Sequence, residues 1–344
     1  MRDKWGNLPA VVVSRPAVSR RAIIGLVVIG LALAGLTADG AFAQTYPARP
    51  IRMLVGFSPG GPADVMARLI GQRMSVSLGQ PVVVENRPGA GGTIAARAVA
   101  DSDPDGYTLL LGNTSTLVIS PLMYKNVGYD ALKAFAPIAR LGTTSDILVT
   151  NPSFPARSLR ELIAYAKANP GKLNYSTPGI GTPPHLIAEM LKLRAGVQIV
   201  HVPYKSGGQS IQAVIAGEVQ LTFENPAVAL PLVQAGVVRA LAVTSAARHP
   251  QAPDVPTLVE GGLLDFVSVS FTGVVGRAGI PAAIVAKLNT VINESLKSPD
   301  VAATLAKLAV DVQNETPGEF AAFLADEMTT MVPVIKAAGL QGVE

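Results

Sequence analysis

Phe57-Ser58-Pro59-Gly60-Gly61-Pro62-Ala63-Asp64 is the stretch on which the fold turns. Upstream, Ile51 to Gly56 is a short apolar run without alternation, entered through Pro50, and reads as a buried strand. Downstream, Val65, Leu69, Ile70 and Met74 recur at helical spacing, so the octapeptide joins a strand to a helix running from Ala63 to Leu78. Pro62 suits a first helical turn, where its missing N–H costs nothing. Gly60 and Gly61 carry no side chain, so a ligand can come close to a main chain whose unpaired N–H groups point outward. An anion is what such a helix start attracts, which makes the octapeptide a candidate carboxylate or phosphate site. The same residues also fit a plain strand-to-helix turn.

The first 43 residues stand apart. Arg15, Arg20 and Arg21 precede an apolar run from Ala22 to Leu36, and Ala41-Phe42-Ala43 is a small-x-small cleavage site. That is the pattern of a secretory signal peptide, so export to the periplasm with cleavage after Ala43 is expected. The run is short for a membrane span and ends at Thr37 and Asp39 without stop-transfer charges. Ser19-Arg20-Arg21 looks like a twin-arginine signal, although Ile23-Ile24-Gly25 lacks the rest of that pattern. Five of the 28 Lys+Arg and two of the 24 Asp+Glu lie in this leader, which leaves a formal charge of only +1 on the mature part. Nothing there suggests a nucleic-acid surface. The sequence has no cysteine, which excludes disulfides, a thiol nucleophile and a lipid-modified cysteine. The 301 residues after Ala43 can form one large core or two ordinary domains.

Strand-like and helix-like segments alternate through the mature chain, the pattern of parallel sheets covered by helices. Pro81 to Glu85 and Thr108 to Leu111 read as the next strands, and the second exits through the small polar loop Gly112-Asn113-Thr114-Ser115-Thr116. Ser158 with Glu161 is a capping box opening a helix to Ala168. The strand Leu173 to Tyr175 exits through Ser176-Thr177-Pro178-Gly179-Ile180-Gly181-Thr182, and the helix after it carries His185 in its first turn. Further strands are expected at Ile199 to Val202, Gln220 to Phe223, Ala240 to Thr244 and Val267 to Val275, and long helices at Pro281 to Leu296 and Pro317 to Ala338.

Catalytic patterns are poorly represented. There is no Gly-x-Ser-x-Gly elbow, and His185, His201 and His249 are not at metal-pair spacing. His185 reads as capping or buttressing its helix more readily than as a catalytic group, and His201, in a strand, equally fits a satisfied core residue. Gly89-Ala90-Gly91-Gly92-Thr93-Ile94 imitates a dinucleotide loop, but Ile94 replaces the third glycine and the next strand ends in Gly112-Asn113 rather than an acid. No cofactor is expected. What survives is a set of polar loops at strand exits, which would line one cleft if two open sheets faced each other.

The mature chain resembles, nearly end to end, the periplasmic receptors of tripartite tricarboxylate transporters, also called Bug proteins. The stretches that carry the likeness are Tyr46-Pro47, Pro50-Ile51-Arg52, Phe57 to Gly61 with Asp64, Leu78 to Gly92, Pro104 to Leu109, Asn151-Pro152, Pro170 to Tyr175, His201 to Lys205 and Asp254 to Thr257. The resemblance implies an α/β, two-lobed periplasmic binding protein of type II that closes like a flytrap. Each lobe would be a mostly parallel sheet flanked by helices, with chain crossings near Thr143 to Asp146 and Leu264 to Val269. Residues 44–144 plus 268–344 would form one lobe and residues 145–267 the other. It further implies that a small organic carboxylate is held by main-chain N–H groups and small hydroxyls. Phe57, Ser58, Pro59, Gly60, Gly61, Asp64, Asn113, Thr114, Ser115 and Thr116 would serve from one lobe. Ser176, Thr177, Pro178, Gly179, Thr182, His185, Tyr204, Glu224 and Asn225 would serve from the other. The partners implied are the membrane permease subunits, with the receptor itself a monomer. The family commonly has Asp at Glu224, Gly at Ser206 and often Trp at Phe271, so a ligand cannot be copied from a relative. An exported enzyme using Glu224 or His185 as general base, or a sensor for a membrane signalling protein, are the alternative functions.

Overall fold

The computed structural model describes residues 46–342, so the leader and its cleavage site lie outside the described residues. β1 (Ile51–Val55) leads into α1 (Pro62–Leu78), β2 (Val82–Asn86) into α2 (Thr93–Ala100), and β3 (Thr108–Asn113) into a π-helical turn (Ser115–Ile119) and α3 (Ser120–Met123). α4 (Ala131–Ala134) and β4 (Phe135–Thr144) follow, then β5 (Ile147–Thr150), α5 (Leu159–Ala168), β6 (Leu173–Thr177) and α6 (Pro183–Ala195). Next come β7 (Ile199–Pro203), α7 (Gly207–Ala216), β8 (Leu221–Glu224), α8 (Pro226–Gln234) and β9 (Arg239–Val243). The chain closes with β10 (Ser270–Arg277), α9 (Ala282–Leu296), α10 (Pro299–Lys307), β11 (Asp311–Val312) and α11 (Pro317–Ala337).

These strands form two sheets, in the orders β11-β4-β10-β3-β1-β2 and β7-β6-β8-β5-β9. In the first, β2, β1, β3 and β4 run one way, and β10 lies antiparallel between β3 and β4. In the second, β7, β6, β8 and β9 run one way, and β5 lies antiparallel between β8 and β9. Both sheets are therefore mixed. The reversed strand inside each sheet is the one that has just arrived from the other sheet: β4 feeds β5 across Ser145 and Asp146, and the segment after β9 feeds β10; the two-residue β11 at the edge of the first sheet is reversed as well. The two lobes repeat one strand order, a duplication that shows in topology and leaves no repeat in the sequence.

Local sequence explains the elements that support the loops. In β1 the buried Ile51, Met53, Leu54 and Val55 face helices on both sides, while exposed Arg52 pairs with Glu85 of β2 at 2.6 Å. Ala67, Ile70 and Met74 give α1 its buried stripe. Thr316 and Glu319 form a true capping box at α11, whereas Glu161 reaches the Arg157 N–H and so completes only half of the box expected at α5. The apolar Ile138 to Leu141 lies within the ten-residue β4.

One apolar cluster runs through both lobes, from Leu54 and Leu110 in the first sheet to Leu148 and Phe223 in the second. Leu186 and Ile187 of α6 and Met331 of α11 belong to the same seam. The crossings are tied together by Thr244, whose N–H donates to the Asp146 carbonyl and whose carbonyl accepts from Ser268 N–H, both at 2.9 Å.

Candidate functional site

Three strand exits of the first lobe meet. An ideal Cβ on Gly56 would stand 2.4 Å from Gly92 Cα, and one on Gly92 would stand 2.4 Å from Thr116 Oγ1. The glycine loop dismissed as a dinucleotide imitation is thus the pedestal on which the Phe57 and Thr116 loops rest. Thr116 Oγ1 donates to Gly91 O at 3.2 Å, and Tyr129 OH donates to Thr116 O at 2.7 Å. The π-helical turn after β3 is a local irregularity of the kind found at binding sites.

Asp64 fixes the Phe57–Gly61 loop. Its buried carboxylate accepts from Gly60 N–H at 2.9 Å, Arg68 Nε at 3.0 Å and Asn86 Nδ2 at 2.9 Å. The Arg68 guanidinium, with Gly60 and Asn86, holds its pKa down at about 2 against the cost of burial. Asp64 is therefore occupied in positioning the loop, not free to meet a ligand. The N–H groups of Ser58 and Gly61 and the exposed Ser58 hydroxyl find no acceptor among the described residues. Asn113 Oδ1 caps the Thr116 N–H at 3.1 Å, and Thr114 Oγ1 accepts from Phe271 N–H at 2.7 Å. Ser115, half-buried on the same turn, has a hydroxyl with no partner among the described residues.

The second lobe departs from the expectation of bare amides. Gly179 N–H donates to Thr177 Oγ1 at 3.2 Å, and Gly181 N–H donates to His185 Nδ1 at 3.1 Å. Thr177 Oγ1 also lies 2.6 Å from His201 Nε2, and Thr182 Oγ1 donates to Gly179 O at 2.7 Å. Pro183 and Pro184 remove two further donors from the start of α6. The Gly179 and Gly181 amides are thus taken up within the loop, while the Ile180 N–H finds no acceptor among the described residues. Ser176 is fully buried below it, donating to Ser210 O at 3.0 Å and accepting from Ser210 Oγ at 2.9 Å, with Thr222 closing the network. Its hydroxyl serves the fold.

Beneath the loop the rings of His185 and His201 stack at 4.0 Å and His201 stacks on Tyr175 at 4.9 Å. Tyr175 OH donates to Glu189 Oε1 at 2.5 Å, which also accepts from Lys192 Nζ at 2.7 Å. Burial, reinforced by the neighbouring His201, pushes His185 down to about 4, and burial lowers His201 as well. Both are neutral at pH 7 and buttress the loop. Tyr204 is half-buried and reaches Glu218 at 3.4 Å. Asn225 caps α8 through Ala227 N–H at 2.8 Å. Glu224 is buried beside Gly207 and Pro178, and burial raises its pKa.

The lobes are drawn together. Thr114, Ile119, Pro183, Leu186, Ser268 and Met331 bound a space of only ≈ 10 Å³ between them, and Gly181 faces Met123 of α3. Larger hollows lie elsewhere, ≈ 610 Å³ on the outer flank of the second lobe and ≈ 400 Å³ behind the crossings. Sequence reasoning missed the supporting role of Gly91 and Gly92, whose signal was the glycine run itself.

Residues 66–340 match the family model described as the tripartite tricarboxylate transporter family receptor. Protein BugT of Bordetella pertussis (strain Tohama I) is 39% identical over 298 residues, covering 86% of this chain and 91% of BugT. The R. palustris protein Rpa4515, solved with adipate, superposes with a TM-score of 0.72 at 33% identity, covering 87% of this chain and all of that one. MatC from Rhodopseudomonas palustris, solved with bound malate, gives 0.69 at 33% identity, covering 84% of this chain and 100% of MatC. With four-fifths of its length under the family model and relatives aligned nearly end to end, the chain belongs to the tripartite tricarboxylate transporter receptor family.

Proposed function

We propose that the protein is an exported receptor that captures a small organic carboxylate between its lobes and delivers it to the permease subunits of a tripartite transporter. The observation that carries this is the Phe57–Gly61 loop. Asp64 fixes its shape, while the Ser58 and Gly61 N–H groups and the Ser58 hydroxyl stay unpaired beside the start of α1. Donors in that position suit a carboxylate. Ser115 and the Asn113 amide would add donors from the next loop, and Pro178, Tyr204, Glu224 and Asn225 would close on the ligand from the second lobe. The adipate and malate bound by the two relatives support the ligand class. The mature protein would begin at Gln44, which N-terminal sequencing of the exported protein tests. Titration calorimetry of the folded protein against organic acids is the decisive measurement: binding heat from at least one carboxylate is expected, and none from any of them overturns the proposal.

A further inference from the structure

A single helical turn joins the two lobes. α3 (Ser120–Met123) follows the π-helical turn after β3, and both of its ends rest on glycines. At its start, Ser120 Oγ would stand 2.5 Å from a Cβ on Gly91, in the pedestal that carries the Phe57 and Thr116 loops. At its end, Met123 reaches the second lobe, where a Cβ on Gly181 would stand 2.7 Å from both Met123 Sδ and Met123 Cε. Nothing larger than hydrogen fits between that thioether and the Gly181 main chain. The contact completes a series of close approaches, Gly56 to Gly92, Gly92 to Thr116, Gly91 to Ser120 and Gly181 to Met123, running from the Phe57–Gly61 loop to the loop after β6.

Met123 is 6% exposed, so its sulfur is shielded while the lobes are together. A receptor cannot stay in that state: the space between the lobes is only ≈ 10 Å³, whereas small-molecule sites need roughly 300 Å³ or more. A carboxylate therefore enters only when the lobes part, which lifts Gly181 off Met123 and bares the thioether. Such a sulfur is open to peroxides. Its lone pair attacks one peroxide oxygen, the O–O bond breaks as the S–O bond forms, and the departing hydroxide takes the remaining peroxide proton and leaves as water. Sulfur loses the two electrons that the peroxide gains. The sulfoxide places an oxygen where the Gly181 main chain must seat, and the Gly181 N–H, already donated to His185 Nδ1 at 3.1 Å, is not there to pair it. Burying that polar oxygen is costly, so the oxidised side chain opposes closure.

We propose that Met123 is both the latch that holds the lobes closed and an oxidation site of the open receptor, where a peroxide converts its thioether to the sulfoxide and lowers ligand affinity. This rests on the receptor reading above, which supplies the open form and the carboxylate that closes it.

The test treats the exported protein with hydrogen peroxide, with and without a saturating carboxylate found by the calorimetry above, and follows each methionine by peptide mass spectrometry. Met123 is expected to oxidise at least tenfold faster without the carboxylate. Met328, half-buried on α11, is the reference for reagent activity, and the fully buried Met53 and Met74 report that the fold stays intact. The oxidised protein should bind the carboxylate at least tenfold more weakly, about 1.4 kcal/mol. Met123→Gln, which sets a polar group in the same place, should bind as weakly without treatment, and Met123→Leu should keep its affinity before and after peroxide. Melting curves check that both variants fold. Oxidation of Met123 at one rate with and without the carboxylate, no oxidation of Met123 while Met328 reacts, unchanged affinity after it, or a loss that persists in Met123→Leu overturns the latch and leaves the receptor reading standing. No carboxylate binding by the untreated protein overturns both.

Discussion

At the scale of single residues, His185 has a measurable job. Its folded pKa of about 4 lies below the ordinary 6.5, so protonation favours the unfolded chain. The stability it contributes is complete above pH 6.5 and is lost as the pH falls toward 4. Asn in its place keeps an acceptor for Gly181 N–H and cannot titrate. His185→Asn is therefore expected to flatten the loss of stability between pH 7 and pH 4.5, by on the order of 2 kcal/mol, in denaturant titrations at stepped pH. Asp64 acts in the opposite charge state. Its Arg68 partner is half-exposed and contributes little, so most of the carboxylate's value lies in the Gly60 and Asn86 bonds. Asp64→Asn is expected to cost about 1–3 kcal/mol by chemical denaturation. It should also weaken carboxylate binding by loosening the loop.

At the scale of elements, the glycine loops separate into two kinds. Gly61 has φ −77 and ψ 169, a conformation open to any residue, and a Cβ there meets nothing closer than Ser58 O at 3.6 Å. Gly61→Val should fold normally and weaken ligand binding at least tenfold by obstructing approach to the main chain, as calorimetry beside a melting curve can show. Gly92 has φ +91 with Thr116 Oγ1 2.4 Å from the Cβ position, so Gly92→Ala should lower the melting temperature itself. The sequence distinguished these elements unevenly. The Phe57 loop was legible because Pro62 and the helical stripe behind it bracket a glycine pair. The second lobe's loop looked similar, but its Gly179 and Gly181 amides are taken up by Thr177 and His185, partners fixed in place only after β6, β7 and α6 pack. The alternation of strands and helices pointed to parallel sheets and was silent about β5 and β10, whose reversal comes from crossing between lobes. The crossing near Thr143 to Asp146 was expected, but nothing local reveals that Thr244 will hold the Asp146 peptide from both sides.

At the scale of the whole molecule, the continuous seam through Leu186, Ile187 and Met331 makes the lobes energetically interdependent. Calorimetric unfolding is expected to show one transition, and Leu186→Ala, at a residue 1% exposed, should destabilise that single transition by about 2–5 kcal/mol. Resolved transitions for the two lobes would show that the seam does not couple them. The exchanged strands also impose an order of assembly. Every strand of the second sheet, from Ile147 to Val243, is contiguous in the chain, whereas β3 and β4 cannot be joined until Ser270 to Arg277 arrives to lie between them. The earliest-made strands must therefore wait, unfinished, for nearly the last quarter of the polypeptide. In refolding, the middle of the chain should gain protection from hydrogen exchange first, and the amino-terminal strands should mature only with the carboxyl-terminal ones.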